Sequence, residues 1–515
     1  MTFVKREGSS LLLDNVAFRF ISFNIPNLFI IEDPSWHQAT EFEQVDALAS
    51  IKEMGGKAVR VYPFSFQKSN ADYLRHFKFS NGKWILNEEL FKDIDRALVI
   101  AANHSVKIII PFIDYWDYWG GIPTFTSLNI KEPLDFFTDS LLRQQFKEII
   151  RTILDRVNSI NGIKYKDDPT ILAWETGNEL EYNNGRVPSD WTLDISKFIK
   201  QLDNNHLVID GSNGYFGWDS TVLSDSNIDI YSNHYYEPAV TRLETKQWMS
   251  LILLPVLWII LISLLIKSIF KKSPSRLQTV VNSLYVILFV IGYIVSLSLR
   301  GSIFPDISDL YAQDDTLIRS YNKIHLVGEL GLHKIYKMNS LLTEFIPRTS
   351  TCGVLIWSLR FHSESGGFCN FVIIKCLDTH QELFNYWSYH YPGFPESPGF
   401  PPDELDLFQM VKSQTYSLNS IMKYPSSRQS LPISPVLWIN TTNLYLKGSY
   451  GCHKYSLQYS NPSGDFTLVK DFTDSVGSGF PVLTLDSYNE GWYRVVAYNN
   501  VGTSVSNSVY YKPSQ

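Results

Sequence analysis

The chain has 515 residues, of which 44% are hydrophobic and 19% charged, with a formal net charge of -7. That length exceeds one ordinary core and points to two or more domains, and an acidic chain without a long basic run excludes nucleic acid as the expected partner. Four cysteines, Cys352, Cys369, Cys376 and Cys452, form no Cys-x-x-Cys pair, which excludes a zinc centre, and no metal or other cofactor is expected.

Residues 1–20 lack the long apolar centre of a signal peptide. Three expectations follow: a cytosolic chain, a longer chain that begins upstream, or targeting by another segment. Eight short β-type runs then alternate with helical patterns, at 18–25, 58–64, 107–113, 171–178, 206–212, 228–236, 324–331 and 353–359. Strands alternating with helices predict parallel β/α units, and eight of them predict an α/β fold of the (β/α)8 TIM-barrel type. The clearest helix lies between the third and fourth runs. Thr138 is its expected N-cap, and Leu142, Phe146, Ile149, Ile150, Ile153, Leu154 and Val157 share one face at helical spacing. Asn161-Gly162 is expected to close it.

The fourth run reads Asp168-Asp-Pro-Thr-Ile-Leu-Ala-Trp-Glu-Thr-Gly-Asn178-Glu179-Leu180. Its apolar stretch is of strand type, yet it ends on a carboxylate, and burying a charge is costly unless the charge is paired. The seventh run, Ile324-His-Leu-Val-Gly-Glu329-Leu-Gly331, also ends on a carboxylate. Two carboxylates at strand ends on one face of a barrel suit glycoside hydrolysis.

Between the sixth and seventh runs, residues 248–266 and 277–299 carry no charge, and Lys267, Lys271, Lys272 and Arg276 lie between them. A helix needs about 20 residues to cross a bilayer. The expectation is therefore a transmembrane helical hairpin over 248–299, inserted in a barrel domain that spans residues 1–425. After the eighth run come an aromatic helix around 383–391 and a proline-rich connector over 391–402. From about Ser430 the pattern is purely β, which predicts a small β-sandwich over 430–515. Cys352, Cys369 and Cys376 lie close enough in sequence for one disulfide, and four buried thiols are the equal alternative. Aromatic residues reach 14%, as carbohydrate sites, large cores and membrane interfaces all require.

The fourth run resembles the fourth-strand signature of glycoside hydrolase family 5, in particular its β-mannanase branch. The resemblance implies that Glu179 is the acid/base and that Asn178 holds the sugar 2-hydroxyl, although Leu180 stands where the family usually has proline. Gly328-Glu329-Leu330-Gly331 is similar to the seventh-strand pattern, with Leu330 in place of an aromatic residue, and implies Glu329 as nucleophile. Arg60, in Ala58-Val-Arg-Val-Tyr, matches the second-strand arginine that braces the nucleophile and keeps it ionised. Asn233-His-Tyr-Tyr236 resembles the His-x-Tyr motif, which gives His234 to the sugar hydroxyls and Tyr236 to a hydrogen bond with Glu329. Trp357 matches the tryptophan floor under the reacting sugar. Tyr115-Trp-Asp-Tyr-Trp-Gly-Gly121 is similar to the mannanase loop after the third strand and makes Trp116 and Trp119 sugar-stacking candidates. Residues 492–502 resemble the penultimate strand and turn of a fibronectin type III domain.

These matches imply a retaining endo-β-1,4-mannanase whose partner is a polysaccharide, mannan or a related β-glycan. A negative Glu329 is expected to raise the pKa of Glu179. A β-glucanase of the same family is the close alternative, and a membrane-held carbohydrate-binding or adhesion protein on an inactive barrel is the distant one. The hairpin leaves after the sixth strand on the active-site face, so the expected location is a membrane, with the catalytic domain exoplasmic and the basic turn cytosolic. The sequons at Asn103 and Asn440 agree with that side.

Overall fold

The computed structural model describes residues 2–32, 36–69, 73–236, 307–331, 335–364, 367–368, 388–391, 404–419, 431–449, 451–452, 454–462, 464–472, 483–485, 488–499 and 501–513. The expected hairpin, Cys369, Cys376 and nearly all of the proline-rich connector lie outside these residues. The chain divides into two units, one of residues 1–235 with 314–515 and one of residues 236–313. Among the described residues no helix is long and apolar enough to cross a membrane.

In the first unit the strands β1 (Phe20–Phe23), β2 (Ala58–Arg60), β3 (Lys107–Pro111), β4 (Ile171–Glu175), β5 (Leu207–Asp210), β6 (Ile230–Tyr235), β7 (Ile324–Gly331) and β8 (Thr351–Trp357) form one eight-stranded sheet. Every pairing is parallel, β8 pairs with β1, and a parallel bridge between Asn24 and Arg60 joins β1 to β2. The sheet is thus a closed (β/α)8 barrel. Parallel strands need crossovers, and the helices supply them: α1 (Glu41–Glu53), α2 (Glu88–His104), α3 (Ser140–Asp155), α4 (Ser189–Leu202), α5 (Ser220–Leu223), α6 (Ile307–Ser320), α7 (Ile335–Phe345) and α8 (Glu404–Leu418). Seven of the expected β runs contain their strand, and the eighth, 353–359, overlaps β8, which begins two residues earlier at Thr351. The barrel strands are buried on both faces, which is why they read as apolar runs rather than alternating ones. Val4, Leu11 and Phe18, from the N-terminal hairpin region, join the strand residues Phe20, Ile109, Ile230 and Leu326 in one apolar cluster.

Three local expectations need correction. Asp139, not Thr138, caps α3, because its carboxylate accepts from the N–H groups of Leu141 and Leu142; Thr138 ends a short preceding helix. Leu142, Phe146, Ile149, Ile150, Ile153 and Leu154 are buried as expected, but Val157 lies beyond the helix end and is exposed. Around 383–391 the described part is a strand rather than a helix: Tyr389–His390 pairs with Leu359–Arg360. Cys352 is a buried free thiol, pushed up to about 12 by burial, so it takes no part in a disulfide. Cys452 is also buried, and its Sγ donates to the Lys454 carbonyl at 3.0 Å.

Residues 436–511 form two antiparallel sheets. One holds β9 (Val436–Asn440), β10 (Asn443–Lys447) and β13 (Leu483–Thr484); the other holds β11 (Lys454–Ser460), β12 (Thr467–Phe472), β14 (Gly491–Tyr498), β15 (Thr503–Val505) and β16 (Val509–Tyr511). Leu437, Leu444 and Leu446 of the first sheet share an apolar cluster with Tyr455, Leu457, Tyr493 and Val495 of the second. Inward and outward residues alternate along β14, where Tyr493, Val495 and Ala497 are buried.

A close backbone approach sets the end of β4. A Cβ on Gly211 would stand 1.8 Å from the carbonyl oxygen of Gly177, the residue ahead of Asn178 and Glu179. Gly211→Ala is therefore expected to cost about 1–3 kcal/mol of stability through overpacking. Urea denaturation checks this, and an unchanged midpoint would contradict the close approach.

Candidate active site

Arg60 ends β2 with its side chain fully buried. Its guanidinium fork reaches three neighbouring elements. Nε donates to Glu175 Oε2 at 2.6 Å, Nη1 to Glu329 Oε1 at 3.0 Å, and Nη2 to Asn178 Oδ1 at 2.7 Å. Nη1 also reaches Asn24 Oδ1 at 3.4 Å. Burial opposes its charge, but Glu175 and Glu329 hold the guanidinium above its ordinary pKa. A planar fork with five donors suits such a site, whereas an ammonium could not span it.

The amide of Asn178 is oriented from both sides. Its Oδ1 accepts from Arg60, and its Nδ2 donates to Asp114 Oδ1 at 2.9 Å. Asp114 in turn accepts from the Tyr62 hydroxyl at 2.6 Å. Burial pushes the Asp114 carboxyl up to about 7, against the hydrogen bonds from Tyr62 and Asn178. Burial and Asp114 together hold the Tyr62 phenol above its usual range.

Glu179 follows Asn178 with φ at 51°, in the left-handed region that an L residue other than Asn or Asp seldom adopts. The turn redirects its carboxylate to two donors. Trp116 Nε1 donates to Oε2 at 2.6 Å, and His234 Nδ1 lies 2.8 Å from Oε1. The same Nδ1 lies 3.5 Å from Glu329 Oε1. His234 reaches this place because Gly328, beside Glu329, has no side chain; a Cβ there would meet His234 Nε2 at 2.9 Å and Ser232 Oγ at 2.2 Å. Glu179, His234 and Glu329 offer three atoms within 4.8 Å of one another. Such a spacing could hold a cation, but the two carboxylates already share the His234 ring, whose charged form they favour.

Of the sequence candidates, the structure brings Arg60, Asn178, Glu179, His234 and Glu329 together at the C-terminal ends of the strands. Trp116 is 40% exposed, and it contacts the Glu179 carboxylate as well as offering a ring. Trp119 departs from its expected role. It is 2% exposed and packed against Tyr62 and Trp36, with ring centroids 4.7 and 5.5 Å away, so no open face is left for a sugar. Trp357 ends β8 and stands 6.4 Å from the Tyr62 ring. Tyr236 is the first residue of the second unit. The sequence reading missed Glu175, Asp114, Tyr62 and Asn24. The signal for Glu175 was present, since it is a second carboxylate inside the same apolar run.

The expected rise of the Glu179 pKa is not what the free site shows. Burial raises it, but the hydrogen bond and charge of His234, the Trp116 indole and the Arg60 charge together bring it down to about 2. His234 moves the other way: burial lowers it, and the two glutamates raise it above 6.5 overall. Glu329 is therefore not the dominant neighbour of Glu179; the imidazole between them is. Because the Glu179 pKa is depressed on folding, its contribution to stability is full above the ordinary carboxylate pKa and is lost as pH falls through about 2. Because the His234 pKa is raised, its contribution is full below 6.5 and is lost as pH rises through the higher folded value. In His234→Gln the Glu179 carboxyl is expected to titrate well above its wild-type value, as NMR titration of labelled glutamate would show. An unmoved midpoint would contradict the pairing.

Residues 1–247 match the family model described as GH family 5 beta-mannosidase-like. Mannan endo-1,4-beta-mannosidase 7 of Arabidopsis thaliana is 31% identical over 228 residues, covering 42% of this chain and 50% of that protein. Among the first such relatives the chain spans about half of their length. The endo-1,4-beta-mannanase structure from Rhizomucor miehei superimposes with a TM-score of 0.54 at 19% identity, over 81% of this chain and all of that one. The endo-beta-1,4-mannanase from Thermotoga petrophila gives 0.53 at 15% identity, over 96% of this chain and 98% of that one. The chain thus shares the barrel fold of these structures and, over its first 247 residues, the sequence pattern of the GH family 5 beta-mannosidase-like model.

Proposed function

We propose that the protein is a retaining glycoside hydrolase that cleaves internal β-1,4 linkages of mannan-type polysaccharides. The observation that carries this reading is the spacing of the two carboxylates. Ligand atoms of Glu179 and Glu329 lie within 4.8 Å of each other, close to the separation of about 5–5.5 Å that retention needs and short of the roughly 6.5–9.5 Å of inversion. Mannan as substrate is supported by the mannanase relatives of the N-terminal half.

In the first step a Glu329 oxygen bonds to the anomeric carbon as the glycosidic C–O bond breaks. Glu179 gives a proton to the leaving oxygen. In the second step Glu179 takes a proton from water, whose oxygen displaces Glu329 from the sugar. Arg60 holds Glu329 in line, and Asn178 retains a second N–H for the sugar 2-hydroxyl. Glu179 is ionised in the free site, so it needs a proton before the first step. His234, whose pKa the two glutamates raise, stands 2.8 Å away as the proposed source. A sugar that excludes water and breaks the Trp116 contact favours the proton's transfer to Glu179.

Reducing-sugar release from purified mannans, glucans and xylans tests the substrate class; activity confined to glucans would move the assignment to a β-glucanase. Glu329→Ala is expected to abolish turnover while oligosaccharide still binds. Glu179→Ala is expected to slow oligosaccharides far more than activated aryl glycosides, which need no proton. Equal losses on both substrates would overturn the acid/base role.

We also propose that residues 248–299 anchor the protein in a membrane, with the barrel exoplasmic, and that residues 430–515 are a fibronectin type III-like domain. The two uncharged stretches of 248–299 support the anchor, and the surface positions of Asn103 and Asn440 suit the proposed side. The protein is expected to stay with membranes in alkaline carbonate and to carry glycan on Asn103 or Asn440. Release by carbonate would overturn the anchor. Barrel cleavage only from the cytosolic side of sealed vesicles would overturn the orientation.

A further inference from the structure

His234 is delivered to the site by an irregular strand. The pairing of β6 with β7 shifts register between Asn233 and His234. A bulge of this kind re-aims a side chain, and without a support it can relax. The support comes from the outer face of the strand. Side chains alternate along a strand, so Asn233 and Tyr235 point away from His234, towards the surrounding helices. Both meet one group. Asp314, on α6, accepts from Asn233 Nδ2 at 2.7 Å and from the Tyr235 hydroxyl at 2.6 Å, both on the same Oδ2.

The two flanking residues are themselves oriented. Asn233 Oδ1 accepts from the His234 backbone N–H at 2.8 Å, so its amide bridges Asp314 to the bulge. Gly214 packs against the other side of that amide, where a Cβ would stand 2.4 Å from Asn233 Cγ. The Tyr235 hydroxyl gives its one proton to Asp314 and accepts from His325 Nε2 at 3.0 Å. Asp314 is 6% exposed and does not figure in the chemistry proposed above.

We propose that Asp314 is a positioning residue for His234: it grips the strand on both sides of the imidazole and fixes the bulge that aims Nδ1 at Glu179 and Glu329. This rests on the hydrolase reading. The groups that face His234 in the site are Glu179, Glu329 and Arg60; those that face Asp314 are Asn233 and Tyr235. A displacement of about 1 Å at the imidazole is enough to cost a large factor in rate.

The test compares kcat/KM, which reports the first covalent step, on a manno-oligosaccharide and on an activated aryl mannoside. Their ratio does not depend on the fraction of folded enzyme. Asp314→Ala is expected to lower the oligosaccharide value about tenfold more than the aryl value, and Asp314→Asn, which keeps an oxygen acceptor for both donors, is expected to restore most of it. An unchanged ratio in Asp314→Ala, or an Asn variant as impaired as Ala, overturns the proposal. If Asp314→Ala does not fold, Tyr235→Phe removes one of the two bonds and is expected to shift the ratio the same way by a smaller factor; no shift overturns it. The titration midpoint of His234, read by NMR, separates the two readings. If the wild type hydrolyses neither substrate, the hydrolase reading fails. Even then the His234 midpoint is expected to fall in Asp314→Ala, or in Tyr235→Phe, and an unmoved midpoint overturns the positioning role.

Discussion

The site depends on one buried guanidinium. Arg60 is the fully buried cation that meets both Glu175 and Glu329, and it contacts the Asn178 amide beside Glu179. Desolvating three charged groups is expensive, and their attraction offsets that cost only where the geometry is good and further hydrogen bonds are made. The closed barrel provides such geometry, since strands β1, β2, β4 and β7 converge on the one side chain. The same pairing explains why the arginine lies inside an apolar run. Its charge is answered within the barrel, so its stem can be packed like any core residue.

The second control is His234. In a site with only two carboxylates, each would make the other harder to ionise. An imidazole 2.8 and 3.5 Å from the two oxygens changes that balance. The two glutamates raise the His234 pKa, and Glu179, lowered to about 2, is held as an anion with Trp116 as its second partner. On the proposed hydrolase reading, substrate has two things to do: cover the pair from water and rearrange its hydrogen bonds. Asp114 and Tyr62 hold the far side of the Asn178 amide, so Asn178 and the neighbouring Glu179 sit on one connected network.

Much of this was legible in the sequence. The barrel strands are buried on both faces and so read as apolar runs, and the few charges that interrupt or end those runs, at Arg60, Asn178-Glu179 and Glu329, had to be explained by pairing. Glu175 is a carboxylate inside an apolar run, but the partner that answers its charge, Arg60, lies 115 residues away in the chain. Asp114 and Tyr62 lie in the loops after β3 and β2, and nothing local marks their meeting with Asn178. Trp119 was misjudged because an aromatic-rich loop looks the same whether a ring faces solvent or packs on Trp36 and Tyr62. The lowered pKa of Glu179 could not be read either, since it turns on the reach of His234 across 55 residues of chain to an oxygen 2.8 Å away. Asp139 outdid Thr138 as a cap for a local reason: its carboxylate reaches two helix N–H groups at once.

The left-handed backbone at Glu179 ties catalysis to fragility. An L residue there carries steric strain of about 1–2 kcal/mol that glycine would not. A lineage released from selection for hydrolysis could replace this residue by glycine, which relieves the strain but gives up the carboxylate that pairs with His234 and Trp116. A glycine at this position in a related barrel would then mark a protein that has given up turnover and kept its binding cleft. A retained glutamate is evidence that selection still tolerates the strain.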